Sequence, residues 1–188
     1  FMEGTNQRLE KIEFLNDSIN IYLLKASRSD LTQSQSREVF SLASVVNYLR
    51  SVNNIVKLRL ENLVNKKNNL EEEFSLEAHQ AIIDYHKKLI KQLKRLNKFF
   101  IKFDRTKVEK IVAKGEIYKD LEEKYRLEQF MRVSEDKPES LGTHQLHVEL
   151  MDMLKEINTF VELIASTLLQ IQGVQNFSSE KKINTVLQ

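Results

Sequence analysis

His144-x-x-His147 puts two imidazoles at the spacing with which one helix face offers two metal ligands. Glu149 lies nearby but off that face, and no third ligand follows from the sequence, so solvent-exposed or capping histidines are the simpler reading. His79 and His86 form a second, looser pair. Residues 87 to 107, KKLIKQLKRLNKFFIKFDRTK, hold nine cations against one acid, interleaved with apolar positions at helical spacing. Such a helix can lie on an anionic membrane surface through Lys91, Lys94 and Lys98. The preferred reading makes Leu89, Leu93, Leu96, Phe100 and Phe103 a core stripe with the lysines as its solvated face. Nucleic acid is not expected as a partner, because the basic residues sit on one helix without a groove-reading motif. There is no Gly-rich phosphate loop, no nucleophile elbow and no Cys, and no carboxylate pair stands apart from ordinary helix salt bridging. The reading is of a protein without enzymatic activity and without a cofactor.

The elements that must position these groups are helices. The chain has 188 residues with one Pro, four Gly, no Cys and no Trp, and many Leu, Ile, Lys and Glu. That composition favours long, little-punctuated helices and excludes disulfide or thiolate chemistry. A formal charge of +2 is too near balance to argue for a polyanionic partner globally. No run approaches the roughly 18 apolar residues of a membrane span. FMEGTNQRLEK is polar and already turning into helix, unlike a signal peptide, and begins as a fragment of a longer chain would.

Leu9, Ile12, Leu15, Ile19 and Leu23 predict a helix over about 6–28. Thr32-Gln-Ser-Gln35 is a capping box, opening a helix to about Lys67 with the stripe Val39, Leu42, Val46, Leu49, Val52, Val56, Leu60, Leu63. Ser75 caps a third helix with the stripe Ile82, Tyr85, Leu89, Leu93, Leu96, Phe100, Phe103. Glu71-Glu72-Glu73 precedes it and complements its N-terminal dipole. Thr106-Lys-Val-Glu109 reads as a second capping box, for a helix to about Val133. Asp136-Lys-Pro-Glu139 opens the fifth, with Leu146, Leu150, Met153, Ile157, Val161, Ile164, Leu168 inward and Gly173 as its stop. Residues 178–188 add a short, weakly held helix. Nothing alternates with period two, so the expectation is all-α: an antiparallel bundle of five main helices.

Two of these helices repeat each other. LRSVNNIVKLRLENLV (49–64) over LKEINTFVELIASTLL (154–169) matches Leu49/Leu154, Asn53/Asn158, Val56/Val161, Leu58/Leu163 and Leu63/Leu168, with Arg50/Lys155 similar. INIYLLKASRSDLTQSQSREVFSLASVVNYLRSVNNIV, and KYRLEQFMRV followed by LHVELMDMLKEINTFVELIASTLL, resemble the PhoU family. The likeness is closest to the PhoU-like C-terminal domain of bacterial sodium/phosphate cotransporters. It covers about residues 9–172 and rests on distributed pattern rather than one invariant motif. It implies a tandem repeat of three-helix units, A, B and C: residues 1–73 form a first repeat with B and C only, and 74–188 a second with all three. It also implies a cytoplasmic regulatory domain at the inner face of the cell membrane, partnered by the transporter part of the same or a neighbouring chain. The absent A helix leaves an apolar face to be covered by the 178–188 tail or by a second copy, and a homodimer is expected.

Metal-binding members of that family carry E/D-x-x-x-D on helices B and C, where four-residue spacing aligns two carboxylates on one face. Here the motif positions fall on Arg50 and Asn54, Lys155 and Thr159, Leu9 and Glu13, and Gly115 and Lys119. One acid of eight remains, so no metal cluster is expected. A shifted register would restore Glu13-x-x-x-Asp17 and Glu116-x-x-x-Asp120, and with them the alternative of a metal-dependent PhoU-type regulator; a generic structural bundle is the third possibility. Asn53 and Asn158 are poor helix formers at matching positions, which points to a cross-bundle hydrogen bond, although a plain surface position is the commoner explanation.

Overall fold

The computed structural model describes residues 2–102, 104–134 and 142–171. Helix α1 spans Met2–Ser27 and α2 spans Gln33–Ile55. A π-helical turn over Val56–Leu60 leads without a break into α3, Glu61–Asn68. Then come α4 (Leu76–Lys102), α5 (Arg105–Ser134) and α6 (His144–Gln170). With α2, the π turn and α3 forming one rod, this is the all-α bundle of five main helices that the pattern implies, and no strand occurs among the described residues.

Cross-helix pairs fix the directions. Asp17 meets Arg50 and Glu13 meets Lys57, so α1 and α2 are antiparallel. Tyr125 reaches Asp84, and Gln92 reaches the carbonyl of Ile111, which sets α5 antiparallel to α4. Glu122 with Lys155 and Lys119 with Glu162 do the same for α5 and α6. Arg59 to Glu156 and Lys66 to Glu149 show that the α2–α3 rod also runs antiparallel to α6. Helix α6 is the hub, packing against α2, α4 and α5, whereas α1 packs chiefly along α2. Its sequence explains the position: Leu146, Met151, Met153, Leu154, Ile157, Val161, Ile164, Ala165 and Leu168 cover nearly half of its circumference and are all buried.

The capping expectations divide. Thr32 accepts from the Gln35 amide while Gln35 Oε1 accepts from the Thr32 amide, a complete capping box. The Ala78 amide donates to Ser75 Oγ, as expected of an N-cap. At α5 the box moves: Thr106 Oγ1 donates to Asp104 Oδ1 and Glu109 accepts from Arg105, so the helix opens at Arg105 behind Asp104. With the helix already begun at Arg105, Thr106 lies inside the first turn rather than at its cap, and its hydroxyl turns back to Asp104. Glu73, placed to face the α4 dipole, pairs with Lys67. Asp136-Lys-Pro-Glu139, Gly173, Phe103 and the 178–188 tail lie outside the described residues, and the described part of α6 begins at His144 behind Thr143.

Stripe membership also shifts at the ends. On α4 the buried series is Ala78, Ala81, Tyr85, Leu89, Gln92, Leu96, Phe99, so Phe99 takes the inward place assigned to Phe100. A straight helix of 3.6 residues per turn drifts away from a strict repeat over seven turns. Leu42 of α2 is exposed, and α1 buries Leu9, Asn16 and Leu23 while Ile12, Leu15 and Ile19 face solvent.

Candidate functional site

Each half of the chain carries a polar seam, between α1 and the α2–α3 rod in the first and between α5 and α6 in the second. In the second half it is built on α5, where Val108, Ile111, Gly115, Tyr118, Glu122 and Gln129 turn inward at spacings of three, four and seven. Glu122 occupies an apolar position of that stripe and is 0% exposed. Its Oε1 accepts from Arg126 Nη2 at 2.6 Å, and Lys155 Nζ of α6 stands 2.9 Å from its Oε2 as an ion pair rather than a directed hydrogen bond. Arg126 continues to Asp152, and these contacts, Glu122 first, raise its pKa further. Around Glu122 lie Tyr85, whose hydroxyl is pushed up by burial and then by that carboxylate, and His147. Tyr125 donates to Asp84 Oδ2 at 2.5 Å; with Lys88 as the larger influence, this holds Asp84 below the usual carboxylate range.

The first half repeats the frame with other residues. The alignment that carries Glu13 onto Lys119 also carries Asn16 onto Glu122, and both of these are buried. Arg50, equivalent to Lys155, meets Asp17 at 3.4 Å and Glu13 at 4.0 Å. Lys57 and Glu162 are equivalent in the α2/α6 alignment. Lys57 Nζ donates to Glu13 Oε2 at 3.0 Å, and Lys119 Nζ stands 3.1 Å from Glu162 Oε2. The same pair of positions therefore forms an ion pair in both halves with the charges exchanged. Asn53 and Asn158 are both buried, on helices that cross antiparallel, and neither side chain has a hydrogen-bond partner among the described residues. The surface reading of the two asparagines is therefore wrong, and the expected hydrogen bond is not among the described contacts.

Of the motif positions, Leu9 is buried, Asn54 is exposed, and Thr159 Oγ1 donates to the carbonyl of Lys155. Gly115 makes room for Glu162: a Cβ there would stand 2.4 Å from its Oε2. The two carboxylates of the shifted register, Glu13 and Asp17, do share a face, but that face meets the Arg50 guanidinium. Glu116 pairs with Lys119, and Asp120 is exposed. No grouping of three or more His, Cys, Asp or Glu able to hold a metal occurs among the described residues.

His147 is 0% exposed, contrary to the expectation of a surface or capping residue, and neither ring nitrogen has a hydrogen-bond partner among the described residues. Burial, before the nearby Arg132, pushes its pKa down to about 4, so the ring is neutral at pH 7. Lys91, Lys94 and Lys98 are exposed. The sequence reading missed Glu122; its signal was an acid in register with Val108, Ile111 and Tyr118, four residues before an Arg.

The halves differ on the outer sides of α1 and α5. Ile12 and Ile19 of α1 are 40% and 42% exposed, and Leu15 is exposed too, whereas their equivalents on α5 are Tyr118, at 7%, and the half-buried Tyr125 and Leu121. In the second half α4 packs on α5 and bonds to Tyr125. No helix among the described residues is long and apolar enough to cross a membrane. No family model, curated protein or solved structure matches the chain.

Proposed function

We propose that this chain is a non-enzymatic regulatory domain of the PhoU type that acts with a sodium-dependent phosphate transporter through its helix faces. The observation that carries the reading is the matched pair of seams, in which equivalent positions on α1/α2 and α5/α6 hold Glu13–Lys57 and Lys119–Glu162 with reversed charge. An exchange of sign at one pair of sites is the mark of a duplicated unit whose partners changed together, since a single change would have set like charges against each other. Arg50 and Lys155 occupy the C-helix positions where the resemblance would place metal-binding carboxylates, and each holds an acid of the neighbouring helix. This favours a contact role over a metal centre. The uncovered face of α1 is where a second copy docks.

The test is sodium-driven uptake of labelled phosphate in cells expressing a cotransporter's membrane part with and without this chain, combined with co-purification in detergent. The expected result is association and an altered uptake rate. Unchanged uptake together with no association refutes the proposal.

A further inference from the structure

Helix α4 separates its two chemistries cleanly. Its apolar stripe, Tyr85, Leu89, Leu96 and Phe99, is wholly spent on the core. Lys87, Lys91, Lys94, Lys98 and Lys102 follow one another at steps of four, three, four and four, which sets them on a single face, and all five are exposed. At 1.5 Å per residue the ridge extends about 22 Å. Among the described residues none of the five forms an ion pair; Asp84 is bonded to Lys88 and Tyr125 and feels Lys87 only as a weaker, more distant charge. In a chain with 29 cations against 27 acids, this is charge segregation along one line. Elsewhere Lys57, Lys66, Lys119 and Lys155 each stand against a carboxylate. Ile101, three residues after Lys98 and seven after Lys94, stands on the same ridge and is 65% exposed.

We infer that the α4 ridge is a seat for an anionic bilayer surface, the lysines meeting lipid phosphates and carboxylates while Ile101 enters the headgroup boundary. A bilayer supplies both anions and an apolar boundary along a straight line, which is what the ridge presents. A nucleic-acid strand would call for a groove and a row of exposed aromatic rings, and among the described residues the lysine face of α4 carries no ring. The inference rests on the charges of α4 and stands whether or not the transporter reading does.

The test is co-flotation of the whole chain with phosphatidylcholine vesicles, pure or containing phosphatidylserine at about three lipids in ten. Binding is expected only to the mixed vesicles, and it weakens as salt shortens the screening length from about 8 to about 3 Å. Each lysine near such a surface is worth about fivefold in partition, so Lys91→Gln, Lys94→Gln and Lys98→Gln together lower it about a hundredfold. Lys11→Gln, Lys25→Gln and Lys110→Gln, exposed cations off the ridge, remove the same net charge and leave binding within about twofold. Ile101→Ser weakens binding while leaving its salt dependence intact. Equal loss in the two triple variants, equal binding to pure phosphatidylcholine, or tighter binding to a single-stranded RNA lost on the same ridge changes, would each overturn the assignment. A circular-dichroism melt of each variant guards against misfolding, and the single Lys94→Glu change repeats the test at one site.

Discussion

Changing His147 to Leu should remove much of the protein's sensitivity to mild acid. The imidazole is fully enclosed, its pKa is about 4 against 6.5 for a free histidine, and burial is the main cause. The sign follows from which state takes the proton. Below pH 6.5 the unfolded chain protonates this ring while the native state refuses the proton until about pH 4. Stability tied to the neutral ring is therefore complete above pH 6.5 and drains away as the pH falls toward 4. The whole effect is about 3 kcal/mol, and about 2 kcal/mol of it is gone by pH 5. Asp84 and Glu149 lie below their ordinary carboxylate values, so their contributions are lost at lower pH and do not confuse the comparison. Urea unfolding followed by helical circular dichroism, at pH 7.5 and pH 5 or thereabouts, gives the two stabilities. Wild type should lose about 2 kcal/mol more than His147→Leu over that interval, while at neutral pH the variant is about as stable or slightly more so, because an unpartnered buried ring has been removed. If both proteins lose the same amount, or if the ring titrates near 6.5 by NMR, the enclosed neutral histidine is wrong.

Three further outcomes are expected. Gly115→Ala should leave the melting temperature nearly unchanged, because a helix-propensity gain of about 1 kcal/mol is offset when Glu162 is displaced from Lys119. In a Glu162→Ala background the same change should raise it by about 3 °C, and identical effects in both backgrounds would contradict the steric argument. Asn53→Leu and Asn158→Leu should each stabilise by about 1 kcal/mol in urea unfolding, since each amide is buried without a hydrogen-bond partner among the described residues; destabilisation by either would show an amide partner that matters. The chain should run as a dimer by light scattering, and Leu15→Glu with Ile19→Glu should halve its mass; a monomeric wild type would dismiss α1 as the contact face.

Much of the fold was legible because helices declare themselves locally. The spacing of Leu146, Met153, Ile157, Val161 and Leu168 identified an inward face on α6, and Thr32–Gln35 and Ser75 marked two starts, because these interactions link residues within one turn of each other. Phe99 replacing Phe100, and Asp104 displacing the Thr106–Glu109 box, are errors of one and two residues, the scale at which neighbouring side chains compete. The seam was less legible. Four-residue spacing correctly put Glu13 and Asp17 on one face, but only the packing of α1 on α2 placed Arg50 against them.

By itself, then, the sequence determined that the chain is helical, where α2 and α4 start, and that α2 and α6 carry matching residues, since all three follow from periodicity and identity along one dimension. Tertiary structure alone decided that Glu122 is buried between two cations, that His147 is held neutral, that the two seams carry ion pairs of opposite sense, and that among the described residues α1 lacks the cover α5 receives from α4. Charge, burial and cover depend on what a second helix brings to the first, and that neighbour lies many residues away in the chain. Local spacing says which way a side chain points; only the packed bundle says what it meets.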